Sequence, residues 1–144
     1  MKDGLVLCLL LSAVVVPSFF WKPRIWLRDF PKDIQDMVDP MTRAEKRVAG
    51  IVGVFIVAIM LALIVASTLR FGFDNGYLVA ALHAYLLFQL FNLFDMVIID
   101  WGILLAINPA KPPIPGTENA EGWRDFGFHA MKSAKGVLLG LPFA

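Results

Sequence analysis

Residues Tyr77 to Ile107 read YLVAALHAYLLFQLFNLFDMVIIDWGILLAI, an apolar run interrupted by Gln89, Asn92, Asp95 and Asp100. A predominantly apolar stretch of about 20 residues is long enough to cross a bilayer as a helix. Within a span each ionisable group costs roughly 2.5–3.5 kcal/mol on insertion scales, so such groups face protein or water rather than lipid. The run decides the fold class, and its polar positions are the first place to look for function.

Composition agrees with a membrane protein. Of 144 residues, 58% are hydrophobic and 17% charged, against about 25% charged in soluble chains; mean hydropathy is +0.70. Two further spans are expected, about 4–21 and about 48–69, with the third at about 77–107. The N-terminal run resembles a signal peptide only superficially: Asp3 cancels Lys2 and no small-residue cleavage site follows. Its eighteen residues would span about 27 Å as a helix and end in Phe19-Phe20-Trp21, an aromatic cluster suited to a membrane–water boundary. The single cysteine, Cys8, excludes an intrachain disulfide and a cysteine-based zinc site. With Leu7 before it, Cys8 does not fit a lipoprotein acceptor, and it reads as a small apolar packing residue.

Charge sets the expected orientation. The segment 22–47 carries Lys22, Arg24, Arg28, Lys32, Arg43, Lys46 and Arg47, and the tail 108–144 carries Lys111, Arg124, Lys132 and Lys135. An outside N-terminus and a cytoplasmic C-terminus place eleven of the thirteen Lys/Arg inside, leaving Lys2 and Arg70 outside. The expected location is a cell (inner) membrane.

Between the spans, Phe30 to Pro40 reads as a short helix bracketed by prolines, with Ile34, Met37 and Val38 forming an apolar edge for the membrane surface or a partner. Trp21 and Trp26 would anchor this loop at the interface. Thr42 and Glu45 form a capping box, so the second helix starts at Arg43. That helix carries two small-residue ridges, Ala49 with Gly53 and Ala58 with Ala62 and Ala66. Such ridges let backbones approach closely in lipid, while Leu63 is expected on a lipid-facing side. Phe71 to Gly76 is a tight turn.

After the third span, Asn108-Pro109 ends the helix and the proline-rich stretch to Gly116 is expected to be stiff and extended. Residues 123–141 are then amphipathic. Trp123, Phe126, Ala130, Ala134, Val137, Leu138 and Leu141 share one face, and Asp125, His129, Lys132 and Lys135 the other. This predicts an interfacial cytoplasmic helix, too short and charged for a fourth span, with its lysines toward anionic lipid.

At 100° per residue, Gln89, Asn92 and Asp100 fall within about 80° of arc and Asp95 widens it to about 140°. Tyr85 lies in the same sector, and His83 lies well away near the outer boundary. Two readings stay open for the stripe: an ion or proton site, or hydrogen bonding to neighbouring helices or a second subunit, with Asp100 paired to a cytoplasmic cation. Asp95 is the deep carboxylate, and any partner for it must come from a loop, the tail or another chain. His83 is expected to pack or hydrogen-bond rather than ligate. The two histidines fall at opposite ends of the bundle, which argues against single-chain bis-histidine haem ligation, a metal site, and a di-metal membrane hydrolase or desaturase. No cofactor is expected, and neither a phosphate-binding glycine loop nor a nucleophile elbow occurs. The basic loop is interleaved with acids, so it reads as a topology signal and not as a nucleic-acid surface.

Phe30-Pro31-Lys32-Asp33-Ile34-Gln35, Asn92-Leu93-Phe94-Asp95 with Asp100-Trp101, Pro115-Gly116-Thr117-Glu118, and Phe128-His129 followed by Lys132 and Gly136 together resemble a loosely defined set of small bacterial multi-pass membrane proteins with no assigned activity. The resemblance covers most of the chain from about residue 23. It implies that the polar stripe and the tail work as a unit, and it brings no activity with it.

The expectation is an all-α polytopic membrane protein forming one integral membrane domain over residues 1–144, with three transmembrane helices and a cytoplasmic amphipathic C-terminal helix. Its leading function is helix packing, as a homo-oligomer or a subunit of a larger membrane complex. The alternative is an ion- or proton-coupled transporter or channel using the polar face of the third helix. A weaker third reading is a membrane enzyme built on Asp95, Asp100 and His129, which requires the tail to fold back.

Overall fold

The computed structural model describes residues 2–74, 76–106 and 112–140. Among them the regular elements are helices throughout: α1 (Lys2–Trp21), α2 (Lys32–Asp36), α3 (Arg43–Phe71), α4 (Tyr77–Phe94), a π-helical segment continuing it (Asp95–Ala106), and α5 (Phe126–Gly140), with 3-10 turns at Pro23–Asp29 and Glu121–Arg124. Three helices, Lys2–Trp21, Arg43–Phe71 and Tyr77–Ile103, are long and apolar enough to cross a membrane. The helix end expected at Asn108-Pro109, Lys111 and Leu141 lie outside the described residues.

Local chemistry explains where α3 begins. The Thr42 side chain accepts from the Glu45 backbone N–H at 3.2 Å while the Glu45 carboxylate accepts from the Thr42 N–H at 2.7 Å. Two N-terminal donors are thereby satisfied reciprocally. Glu45 also accepts from Arg24 Nε at 2.7 Å, tying the 3-10 turn to α3, and this hydrogen bond holds the Arg24 guanidinium above its ordinary pKa.

The three long helices pack pairwise. Leu7 and Leu11 of α1 meet Leu87 of α4, and Ile56, Ile59, Met60, Leu63 and Ile64 of α3 close over them. Leu63 therefore faces the chain's own core, contrary to the lipid-facing position expected of it. Ala58, Ala62 and Ala66 are exposed, so their ridge packs nothing within the chain. Of the other ridge, Ala49 packs against the second core while Gly53, half-buried, faces open space.

That second core forms a cap at the loop end of the bundle. Phe19, Leu27, Phe30, Ile34 and Met41 bury against Ile114, Ala120 and Trp123 of the tail. Ile34 and Val38 of the loop's apolar edge are thus covered by the chain itself, and Met37 is exposed. The proline-rich stretch is not extended. Pro115 and Gly116, the latter at φ 87°, have the residue types a type II turn requires. Beyond the turn Thr117 Oγ1 donates to the Ile114 carbonyl at 2.6 Å, and Trp123 Nε1 donates to the Thr117 carbonyl at 3.0 Å. The Gly122 N–H donates to Asp33 Oδ2 at 2.7 Å, an approach so close that a Cβ on Gly122 would collide with the Asp33 carboxylate and Pro31.

α5 departs most from expectation. It packs along α4 and the π segment rather than standing alone. It runs antiparallel to them: His129 meets Asp100, Ser133 meets Asn92, and Val137 meets Gln89 and Tyr85. Its inward side is the polar one, His129, Ser133 and Gly136, while Met131, Ala134 and Leu138 are exposed. Phe126, Ala134, Val137 and Leu138 of the expected apolar face stay exposed, as do Lys132 and Lys135 of the polar one, so His129 is the polar-face residue that α5 buries, against Asp100.

Candidate functional site

The polar positions of the third helix divide into two groups. Asn92 Nδ2 donates to the Ser133 carbonyl at 3.0 Å and to Gln89 Oε1 at 3.3 Å. Gln89 Nε2 and Tyr85 Oη each lie 3.5 Å from the Val137 carbonyl, at the long limit of a hydrogen bond. These three side chains supply donors to α5 backbone carbonyls, so the upper part of the stripe is a docking strip for the tail. Gly136 permits the approach, since a Cβ there would lie 2.9 Å from Asn92 Oδ1.

The second group is ionisable. His129 Nδ1 sits 2.8 Å from Asp100 Oδ2, with the histidine side chain 3% exposed. An ionised carboxylate only accepts, so the ring donates through Nδ1. Lys132, one turn further along α5, reaches Asp29 Oδ1 of the 3-10 turn at 2.6 Å. Lys135 is exposed on the same helix, at the rim. Asp125 accepts from the Phe128 N–H at 2.8 Å and so caps the start of α5.

The Asp95 carboxylate lies among these groups but makes no hydrogen bond or ion pair with any described residue; its charged neighbours are Asp100, Lys132, Asp29 and His129. Two cavities flank it. One of about 60 Å³ runs toward Phe19, Trp26 and Phe30 of the cap. The other, about 380 Å³, opens along Asn92, Ser133 and Gly136. Asp95, Asp100, His129 and Lys132 line both.

The π geometry explains why the two aspartates converge. Its i→i+5 hydrogen bonding brings residues five apart nearly into line, and π turns recur at functional sites. Asp95 and Asp100 are separated by five, so they share a face that an α-helical projection splits by about 140°. That projection has no access to the local change of pitch.

His129 thus meets the proximity to Asp100 that the enzyme reading demands. Among the described residues no group of three or more His, Cys, Asp or Glu side chains is arranged to hold a metal ion.

A separate polar cluster closes the opposite end of the bundle. Ser67 Oγ donates to Asp3 Oδ2 at 2.6 Å, and Arg70 Nη2 donates to the same oxygen at 3.0 Å. His83 Nε2 lies 3.0 Å from Ser67 Oγ, with its ring stacked on Phe71 at 4.4 Å. The His83 expectation of packing plus a hydrogen bond is met. Asp3, Ser67 and Arg70 were not singled out from sequence, because separations of 64 and 67 residues leave no local spacing to read.

No protein-family model, no curated protein and no solved structure matches this chain.

Proposed function

We propose that this chain is a multi-pass integral membrane protein acting by helix packing, as a homo-oligomer or as a small subunit of a larger membrane complex. The observation that carries the reading is the outward face of α3. Its membrane-length window has the highest hydropathy of the three, 3.1, and no residue of it is fully buried within the chain. Ala58, Ala62 and Ala66 lie on that uncovered side, where small residues allow close backbone approach between helices. The basic residues of segments 22–47 and 108–144 support an outside N-terminus and a cytoplasmic C-terminus in a cell membrane.

Sizing of the detergent-extracted full chain tests this. The expected result is a defined oligomer or a stoichiometric partner, lost in Ala62→Leu and kept in Leu61→Ala, whose side chain is exposed elsewhere on the helix. A folded monomer without partners sinks the reading.

A second reading is ion- or proton-coupled transport, favoured by the unpaired Asp95 carboxylate between two cavities. With Gln89 and Asn92 engaged in holding α5, its site narrows to Asp95, Asp100, His129 and Lys132. In proteoliposomes Asp95→Asn should abolish pH- or ion-dependent flux. Flux no greater than in empty vesicles, across protons and the common monovalent and divalent cations, removes it.

A further inference from the structure

Between the 3-10 turn and the first turns of α3 lies a groove of about 270 Å³ that none of the preceding contacts fills. Its mouth carries Arg28 and Lys46, both exposed. Three cations nearby are engaged, Arg24 with Glu45, Lys32 with Asp36 and Lys132 with Asp29, while Arg43 and Arg47 are exposed beside Lys46 on α3 and do not line the groove. Arg28 and Lys46 have no ion-pair partner among the described residues. Asp29 also lines the groove, but its charge is balanced by Lys132 at 2.6 Å. The field at the mouth is therefore positive.

Deeper in, the character changes. Lys46, Gly50 and Gly53 recur along one face of α3, and seven residues of helix place Gly53 about 10 Å below Lys46. A Cβ built on either glycine meets no atom within 4 Å, so the floor is open. The facing wall is apolar, from Ile25 and Met41. A groove with unpaired cations at the top and an apolar trough running toward the membrane-length part of α3 matches one chemistry. We infer that it seats an anionic phospholipid, with the phosphate between Arg28 and Lys46 and the upper acyl chain over Gly50 and Gly53. Basic pockets beside membrane helices hold anionic headgroups in this manner. Free phosphate would leave the apolar half unfilled, and a neutral lipid would leave the two cations unmatched. The site is separate from the Ala58–Ala62–Ala66 face and does not depend on how that face is used.

The test uses the full chain in mild detergent, titrated with phosphatidylglycerol or phosphatidylcholine and with bound lipid counted by native mass spectrometry. Phosphatidylglycerol should be retained in preference to phosphatidylcholine, and millimolar inorganic phosphate should not displace it. The double variant Arg28→Gln, Lys46→Gln changes exposed side chains and should lower the preference on the order of tenfold. Gly53→Leu has room on the backbone and should expel the lipid while circular dichroism stays unchanged. Equal retention of both lipids overturns the inference, as does retention indifferent to all three substitutions. Displacement by inorganic phosphate alone identifies an anion site instead. A Gly53→Leu variant that loses an oligomer without losing lipid identifies a second copy of the chain as the occupant.

Discussion

Asp95, Asp100 and His129 behave differently at the residue scale although all three are polar groups in apolar surroundings. Asp100 and His129 satisfy each other at 2.8 Å, so removing one leaves the other buried without its partner. Asp100→Asn or His129→Ala should each cost about 2–3 kcal/mol, and the double variant should cost clearly less than their sum. Chemical or SDS unfolding read by tryptophan fluorescence measures this. Asp95 has no such partner, so Asp95→Asn should leave stability within about 0.5 kcal/mol. That separates a structural role from a functional one, because a flux defect in that variant would not be a folding defect. Gly136→Ala places a methyl group 2.9 Å from the Asn92 amide oxygen. It should loosen α5 by about 1–3 kcal/mol, seen as faster hydrogen exchange confined to residues 126–140.

At the scale of elements, the features legible in sequence are those with local causes. The capping box at Thr42 and Glu45 needs only a spacing of three residues, and it forms as expected. The short helix at Lys32–Asp36 follows from its proline and the Ile34 register. The docking of α5 was not legible. Its composition marks two faces, but only the neighbouring Asn92, Gln89 and Asp100 place Ser133, Val137 and His129 against α4 and the π segment. The cap has the same origin: Ile34 and Trp123 are 89 residues apart in sequence and share one core. Trp123→Ala should cost about 3–5 kcal/mol and expose residues 112–125 to limited proteolysis. It should also release α5, which follows directly on the Glu121–Arg124 turn.

For the whole molecule, topology is the testable quantity. With Cys8 replaced by serine, Asp74→Cys at the turn end should react with a membrane-impermeant maleimide on intact cells. Glu121→Cys, in the cap, should react only after the membrane is opened. The reverse pattern would invert the orientation drawn from the Lys/Arg distribution. The two ends also differ in construction. The turn end is closed by the Asp3–Ser67–His83–Arg70 cluster, and the loop end by an apolar cap over an ionisable site.

Length, hydropathy and caps are local properties of the chain, so three helices of membrane length, the bounds of the first two, the start of the third and its polar stripe are legible in sequence. What the stripe does is settled by the packing of distant segments. Tyr85, Gln89 and Asn92 hold a returning helix, Asp100 takes His129, and a π turn aligns Asp95 with Asp100 without giving it a partner. Those outcomes depend on which of several polar surfaces meet across 29 to 52 residues of sequence. Hydrogen bonding between distant segments selects among them, and no periodicity within either segment encodes that choice.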